Sequence, residues 1–379
     1  MEREESSASI DSPNSYRAAG RADVSAGAKT ETSSTTSPNA PVAGDMRFEE
    51  SLPLVVRRFE QFKYCYQAHN YGAACDHFTI ALRVDVGSAF RYFMTRASYA
   101  LARTLQVTQS AEDVAAWLDP MLAQRPDIAL LCDDDPSEVK RLLDLRQSNI
   151  DKGLPSVVLV TQPKSGSVSV GGIFNSGFNL PSFAYSLVNL EVMENWARDY
   201  VRGGACWVTH LLPKPRNVAR LKRAGVSKII VHVRDPRQSF LSWLHHKSRY
   251  LDEFPESAQR TLAMRSKAEL LDELFDDYVS SIRWIEGWLD AEAEITVLFS
   301  TFEDFLQDRE KFIKRYLEFY GGQAEHFSLD RAVTRQAGTD YHFRLGRSDE
   351  WRDVFPVAAS KRLTAWLPES LRRRFNWPD

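Results

Sequence analysis

The chain has 379 residues, of which 43% are hydrophobic and 26% are charged, and its formal net charge is −3. This composition predicts folded domains and excludes a chain that is disordered throughout. The near balance of charge provides no global field for nucleic acid or an anionic membrane, so an anionic ligand requires a local group of donors. With no run of about 18 apolar residues and no secretory signal, we expect a cytoplasmic protein without a membrane span. The four cysteines are widely spaced, so neither a disulfide framework nor a zinc site is expected.

The first two regions differ sharply in composition. Residues 1–46 are rich in Ser, Thr, Ala, Gly and Pro, and such a segment cannot bury enough apolar surface to offset its chain entropy, so we expect a disordered tail. Residues 47–150 have a helical pattern, and residues 71–82 place Tyr71, Ala74, Phe78, Ala81 and Leu82 on one helical face. This stretch resembles the second helix of a tetratricopeptide repeat, and a generic helical bundle is an equal alternative. A protein partner for this helical region is one expectation.

The third region, residues 151–379, alternates short β-branched runs with longer helical stretches. The predicted strands are residues 157–160, 206–209, 229–233 and 295–299. Apolar runs of this length suit a sheet that is buried on both faces, and alternation with helices predicts a parallel α/β sheet. A single helix is predicted over residues 302–320, capped by Thr301 and Asp304 and ended by a Gly-Gly pair. We therefore expect a P-loop-like parallel sheet flanked by helices, preceded by an all-α domain and a disordered tail.

A candidate phosphate site follows the first predicted strand, in the sequence PKSGS at residues 163–167. A strand, a tight glycine loop and a helix start together present unpaired backbone N–H groups and a positive dipole end to an anion. Lys164 adds a mobile charge, and Ser165 and Ser167 add hydroxyl donors. The loop is not a Walker A motif because the GxxxxGK[ST] spacing is absent. Taken alone, a plain strand-to-helix turn is an equal interpretation.

Two further segments complete a recognisable pattern. The third predicted strand leads into RDPRQSFLS, in which Arg234 stands at the strand end and Ser242 follows eight positions later. With this segment the chain resembles the sulfotransferase family that uses 3′-phosphoadenosine 5′-phosphosulfate (PAPS), whose phosphosulfate loop reads PKSGTTW. Near the C-terminus, FRLGRSDEW at residues 343–351 resembles the FRKGxxGDW segment of the family. The resemblance covers roughly residues 155–379, with the motifs in the order of the family.

The resemblance implies a site for the nucleotide donor. It assigns the 5′-phosphosulfate to Lys164, Ser167 and the loop amides. It assigns the 3′-phosphate to Arg234, Ser242 and Arg344, and two planar guanidinium groups with a hydroxyl suit a dianionic phosphate. The full set of residues implied to contact PAPS is Lys164, Ser165, Gly166, Ser167, Val168, Arg234, Ser242, Phe302, Phe343, Arg344 and Gly346.

Sulfuryl transfer requires a base for the acceptor proton and a cation for the leaving oxygen. The second predicted strand ends in THLLP, which resembles the KTHLP segment of the family, whose His takes the acceptor proton. The resemblance therefore implies His210 as the general base and Lys164 as the cation, with Ser242 restraining Lys164. An imidazole near its ordinary pKa suits this work at neutral pH. No metal is implied.

The sequence leaves the acceptor open. A small-molecule, carbohydrate or lipid hydroxyl, or an amine, fits the implied chemistry. Aromatic side chains between the motifs suit either an apolar wall for the acceptor or the protein core, and the core is the more common place for them. These side chains are Phe174, Phe178, Phe183, Tyr185, Tyr250 and Phe254.

The chain departs from the family pattern at several positions. Val208 replaces the Lys that begins KTHLP, and Ser169 replaces the Trp that stacks on adenine. Phe302, at the Tyr of the YED segment of the family, is therefore the expected aromatic partner of adenine. The dimer motif of the family is not preserved at residues 352–361. Two alternatives stay open: a nucleotide kinase or NTPase with a P-loop-like site, and a non-catalytic helical interaction module with a vestigial nucleotide site.

Overall fold

The computed structural model describes residues 48–130, 135–249, 267–321, 327–328 and 347–379. The helices in these ranges are α1 Phe48–Gln67, α2 Tyr71–Val84, α3 Val86–Thr108, α4 Ala111–Leu122, α5 Pro136–Asp151, α6 Ser167–Gly172, α7 Glu194–Tyr200, α8 Pro215–Arg223, α9 Pro236–Arg249, α10 Lys267–Glu273, α11 Phe275–Asp290, α12 Phe302–Gln307, α13 Arg309–Tyr320, α14 Trp351–Val354, α15 Val357–Trp366 and α16 Glu369–Phe375. The strands are β1 Val157–Thr161, β2 Ser186–Leu187, β3 Glu191–Val192, β4 Cys206–Thr209, β5 Lys228–Val233 and β6 Thr296–Thr301.

The main sheet has four parallel strands in the order β4-β1-β5-β6, which confirms the predicted parallel α/β architecture. Successive side chains of the buried central strand β1 point to opposite faces of the sheet. Val158 and Val160 pack into a large core on one face, and Val157 and Leu159 pack into a second core on the other. The sheet is therefore covered on both sides, as unbroken apolar strands require.

The helical region begins with three mutually packed helices, α1, α2 and α3. The predicted helix at residues 71–82 is confirmed as part of α2, whose buried face includes Ala74, Phe78, Ala81 and Leu82. Aromatic rings of α1 and α3 meet edge to face, with the centroids of Phe59 and Phe93 5.2 Å apart. These contacts define a helical bundle, and the resemblance to a tetratricopeptide repeat stays a prediction.

The helical region and the sheet share the larger apolar core. The ring of Phe90 in α3 lies 5.2 Å from that of Trp196 in α7. The carboxylate of Asp119 in α4 accepts hydrogen bonds from the backbone N–H groups of Asn195 and Trp196, at the start of α7. The helical region thus supports an element of the α/β part directly, and its division from residues 151–379 as a separate folding unit stays a prediction.

The single helix predicted over residues 302–320 is two helices, α12 and α13. The chain breaks at Asp308, where φ is −150° and ψ is 92°, and the Asp308 side chain accepts a hydrogen bond from the N–H of Lys311 at 2.9 Å. An aspartate in this position satisfies an otherwise unpaired donor of the second helix, so it starts a new helix instead of continuing the first. The predicted start at Thr301 is correct, since its hydroxyl accepts from the N–H of Asp304.

Several predicted features lie outside the described residues. They are the tail at residues 1–46, Tyr250, Phe254 and the segment that contains Phe343, Arg344 and Gly346. Within the described ranges, none of the helices combines the length and the apolar character that crossing a membrane requires.

Candidate active site

The predicted site residues lie at one edge of the main sheet. From β1 the chain passes to β4 on one side and later to β5 on the other, and ligands of open parallel sheets bind where the order reverses in this way. Lys164 follows the carboxyl end of β1, His210 that of β4 and Arg234 that of β5. Phe302 directly follows β6. The topology therefore gathers four of the predicted residues at the same crevice.

The phosphate loop, residues 162–166, joins β1 to α6 in a tight turn. The hydroxyl of Ser165 donates to the carbonyl of Gln162 at 2.7 Å, and Gly166 has a φ of +91°. A Cβ added to Gly166 would lie 2.7 Å from the ring of Phe302. This position therefore requires glycine both for its left-handed backbone and for the close approach of the aromatic ring. Val168, in the first turn of α6, is exposed.

His232 supports the phosphate loop from within the sheet. Its Nε2 donates to the carbonyl of Ser165 at 3.1 Å, and its Nδ1 lies 2.9 Å from the hydroxyl of Ser300. The ring is fully buried, and this burial lowers the pKa of His232 to about 3, so the imidazole is neutral. His232 is thus a structural histidine, and its bond to the loop joins residues that are 67 positions apart in the sequence.

Gln162 joins the ends of two strands and was missed by the sequence analysis. Its side-chain oxygen accepts from the N–H of Arg234 at 2.8 Å, and its side-chain nitrogen donates to the hydroxyl of Ser281 at 2.7 Å. Gln162 is fully buried, so these hydrogen bonds satisfy groups that have lost contact with water. The side chain fixes the backbone of Arg234 relative to the phosphate loop.

Arg234 is buried at the base of the crevice, with 7% of its surface exposed. Its guanidinium lies 4.2 Å from the centre of the Phe302 ring and donates to the carbonyl oxygens of Lys164 and Arg347. Two segments that are distant in sequence therefore meet on one guanidinium. Phe302 packs between this group and the phosphate loop, and its predicted contact with adenine stays a prediction. Ser242 lies two turns into α9 and is partly buried.

His210 is held in a defined tautomer. Its Nδ1 lies 2.8 Å from the carbonyl oxygen of Thr161 and 3.0 Å from the hydroxyl of the same residue. Because a carbonyl only accepts, a protonated Nδ1 makes both contacts favourable, with the hydroxyl oxygen as a second acceptor. Nε2 is then the basic nitrogen. Burial is the main cause that lowers the pKa of His210, and the charge of Lys164 lowers it further, against the hydrogen bond to Thr161, which raises it. The imidazole is therefore neutral and able to accept a proton at neutral pH.

Asp235, the residue that a nucleotide kinase would need as a magnesium ligand, is paired with Arg237. Its carboxylate receives hydrogen bonds from the guanidinium of Arg237 at 3.0 Å and 2.7 Å, and both side chains are almost completely buried. Arg237 also donates to Thr364 and to the carbonyl of Pro378. Elsewhere in the described ranges, no group of three or more His, Cys, Asp or Glu side chains is arranged to hold a metal ion.

Glu303 lies beside this buried ion pair. Its carboxylate accepts from the N–H of Asp235 at 3.2 Å and from the indole N–H of Trp377 at 3.3 Å. Burial and, second, the charge of Asp235 raise the pKa of Glu303 to about 7. The C-terminal segment thus closes over the strand ends that carry the site.

The aromatic side chains between the motifs belong to the core. Phe174, Phe178, Phe183 and Tyr185 are each at most 8% exposed, and they pack against other apolar groups. The described members of this set therefore give no support to an aromatic wall around the acceptor. Val208 likewise lies under α6, where a Cβ on Gly171 would be 3.0 Å from its side chain.

The chain belongs to the sulfotransferase domain family, whose model matches residues 154–374, more than half of the chain. Among solved structures, it is similar to mouse sulfotransferase SULT7A1 complexed with PAP, at 16% identity over 60% of this chain and 90% of that chain, with a TM-score of 0.42. It is also similar to retinol dehydratase in a complex with retinol and PAP, at 15% identity over 63% of this chain and 88% of that chain, with a TM-score of 0.35. A comparison with curated proteins found no match.

Family membership establishes the class of reaction. The protein is a sulfotransferase that uses PAPS as the sulfuryl donor, with 3′-phosphoadenosine 5′-phosphate (PAP) as the product. The kinase and the vestigial binding module are not favoured.

Proposed function

We propose that the enzyme transfers the sulfuryl group of PAPS in line to a hydroxyl of a small-molecule acceptor, with His210 as general base and Lys164 as the cation on the leaving oxygen. The observation that carries the proposal is the bond from Nδ1 of His210 to the carbonyl of Thr161, since it leaves Nε2 as a basic nitrogen at the crevice. Both residues follow the carboxyl ends of neighbouring strands.

In the acceptor step one proton moves from the acceptor to the base and one sulfur–oxygen bond forms. As the acceptor oxygen bonds to sulfur, its proton passes to Nε2 of His210, and Nδ1–H stays bonded to Thr161. The lowered pKa of His210 keeps the imidazole neutral before this step, so the base is ready at neutral pH. The Thr161 carbonyl then stabilises the imidazolium that forms.

The donor step breaks the bond between sulfur and the 5′-phosphate oxygen. The electron pair of that bond stays on the phosphate oxygen, where negative charge develops. Lys164 follows the carboxyl end of β1, beside the strand that leads to His210, and in this proposal it supplies the compensating charge. Its charge also lowers the pKa of His210. A cation beside the base also discourages protonation of the base before the acceptor binds.

The 3′-phosphate of the donor is proposed to bind Arg234 and Ser242, with Arg344 as a third donor. Arg234 now donates to two backbone carbonyls, and phosphate oxygens are stronger acceptors for a guanidinium than neutral carbonyls are. Replacing these carbonyl contacts by contacts with phosphate oxygens favours the binding of a nucleotide with a 3′-phosphate over one without it. A carbohydrate, lipid or amine acceptor, a cytoplasmic location and a protein partner for the helical region stay predictions.

The test is conversion of PAPS to PAP, measured chromatographically with 2-naphthol, a long-chain alcohol and an amino sugar as acceptor probes. We expect His210→Ala to lower kcat by about 10²–10⁴-fold, as loss of a general base does, with PAP affinity unchanged. The control is His69→Ala, because His69 is an exposed histidine in the turn before α2. Full turnover by the His210 variant would contradict the proposal.

A further inference from the structure

A strained turn lies directly beside the proposed base. The short antiparallel strands β2 and β3 are joined by Val188, Asn189 and Leu190. Val188 has a φ of +46° and Asn189 a φ of +63°. Asparagine tolerates the left-handed region, but a β-branched valine there is an outlier that persists only where the surroundings impose it.

The turn holds the chain segment that carries His210. The side-chain oxygen of Asn189 accepts a hydrogen bond from the hydroxyl of Thr209 at 2.6 Å and another from the backbone N–H of His210 at 3.3 Å. The ring of His210 is bonded separately to Thr161. The base is therefore fixed at two points, its backbone by Asn189 and its imidazole by the end of β1.

The turn is itself anchored by a buried amide. Asn217 in α8 donates to the carbonyl oxygens of Leu190 and Leu212 and accepts from the N–H of Val192. Asn217 is fully buried, so each of these bonds replaces water that the group has lost. Asn217 therefore connects the turn, which precedes His210 in the sequence, to Leu212, which follows it.

A charged network extends this anchor to the helical region. Glu191 of β3 is fully buried, and its carboxylate is bonded to Arg216 and Arg220 of α8. Arg216 also donates to Glu112 of α4 at 2.5 Å. Strand β3, which adjoins the strained turn, is thus bonded to α8 and, through Arg216, to α4 of the helical region. These bonds explain how the unfavourable backbone of Val188 is maintained.

We infer that Asn189 is the positioning residue of the proposed base, because its side-chain oxygen fixes the backbone of His210 so that the imidazole keeps its bond to Thr161. The inference rests on the proposed role of His210. Among the described residues, Lys164 is a charged group that acts on the His210 ring. The uncharged amide at residue 189 holds the backbone without adding another charge beside the ring.

The test compares two substitutions that both tolerate a left-handed backbone. Asn189→Gly removes the acceptor oxygen, and Asn189→Asp retains it and adds a negative charge. The control is Asn179→Gly, since Asn179 also has a positive φ, of +56°, and its side chain is exposed. The first readout is the NMR titration of the histidines in the PAP-bound protein, in which the His210 signal is assigned by its absence from His210→Ala. The second readout is PAPS turnover, measured with 2-naphthol as the acceptor and, separately, with water as the only acceptor.

We expect Asn189→Gly to lower kcat by about tenfold to 100-fold with PAP affinity unchanged, and to move the His210 pKa toward its ordinary value. Asn189→Asp should stay within a few fold of the parent kcat at its optimum, with the acidic limb of its pH profile shifted to higher pH. The inference is overturned if Asn189→Gly keeps the parent turnover and titration, or if Asn189→Asp loses as much turnover as Asn189→Gly.

These outcomes separate the inference from the proposal on which it rests. If His210→Ala retains turnover, the assignment of the base fails. If His210→Ala is inactive and Asn189→Gly is fully active, only the role of Asn189 fails. Should Asn189→Gly not fold, as judged by PAP binding and a thermal melt, the pH profile of Asn189→Asp decides, and an unshifted profile overturns the inference.

Discussion

Glu303→Gln is expected to change how the stability of the protein depends on pH. The carboxyl of Glu303 is partly buried beside Asp235 and Trp377, and its pKa is raised from 4.5 to about 7. The folded state therefore binds this proton more tightly than the unfolded chain does. The resulting stabilisation is complete below pH 4.5, and it is lost as the pH rises to about 7.

The size of the effect follows from the two pKa values. A rise from 4.5 to about 7 corresponds to about 3 kcal/mol if the whole shift acts on folding. Because the carboxyl is partly accessible, we expect about 1 to 3 kcal/mol. The glutamine is neutral at every pH, so the variant should gain that amount relative to the parent between pH 4.5 and pH 8.

The assay is urea unfolding of parent and variant at several pH values. The difference between the two proteins isolates Glu303 from histidines such as His232, whose lowered pKa makes the protein lose stability as the pH falls. Glu310→Gln is the control, since Glu310 is exposed in α13 and the same substitution there does not touch the buried groups around Asp235. A constant difference between the Glu303 variant and the parent at all pH values would refute this reasoning.

Two further substitutions test the architecture around the site. Gly166→Ala combines a φ of +91° with a Cβ 2.7 Å from Phe302, so we expect a loss of about 1–3 kcal/mol in unfolding free energy and weaker PAP binding by calorimetry. Arg237→Ala leaves Asp235 buried without its ion-pair partner, so a loss of about 3–5 kcal/mol is expected in urea unfolding.

Each substitution has a control of the same kind. Gly172→Ala places a methyl group in open space at a helical φ of −58°, and it should leave stability unchanged or raise it by up to about 1 kcal/mol. Arg373→Ala removes an exposed pair with Glu369 and should cost about 0–1 kcal/mol. If either buried substitution behaves like its control, the packing described for that position is wrong.

The sequence predicted the parts of the fold and site that depend on short continuous stretches of residues. Short apolar runs between helices predicted the parallel sheet, and the segments that hold Lys164, His210 and Arg234 follow the strands that were expected to carry them. The helix break at Asp308 was missed because apolar spacing continues across it, although an aspartate that can cap a helix start was a usable signal.

Contacts between distant segments could not be predicted. Gln162 bonds to Ser281, which is 119 positions away, and Glu303 accepts from Trp377, 74 positions away. The spacing of polar residues along the sequence does not predict such pairs. The same limit applies to Asn189, whose partners Thr209 and His210 lie at the end of β4, 20 and 21 positions later. Periodicity also could not separate core from pocket, as the buried side chain of Phe174 shows.

The central claim is a donor site built around Arg234. The most direct test is calorimetric binding of PAP and of ADP, without metal, to the parent, to Arg234→Ala and to Arg373→Ala as an exposed control. We predict a clear preference of the parent for PAP, reduced in Arg234→Ala by the ~1.5–3 kcal/mol of a charge-assisted hydrogen bond and retained in the control. Equal binding of PAP and ADP by the parent, or an undiminished preference in Arg234→Ala, would contradict the account.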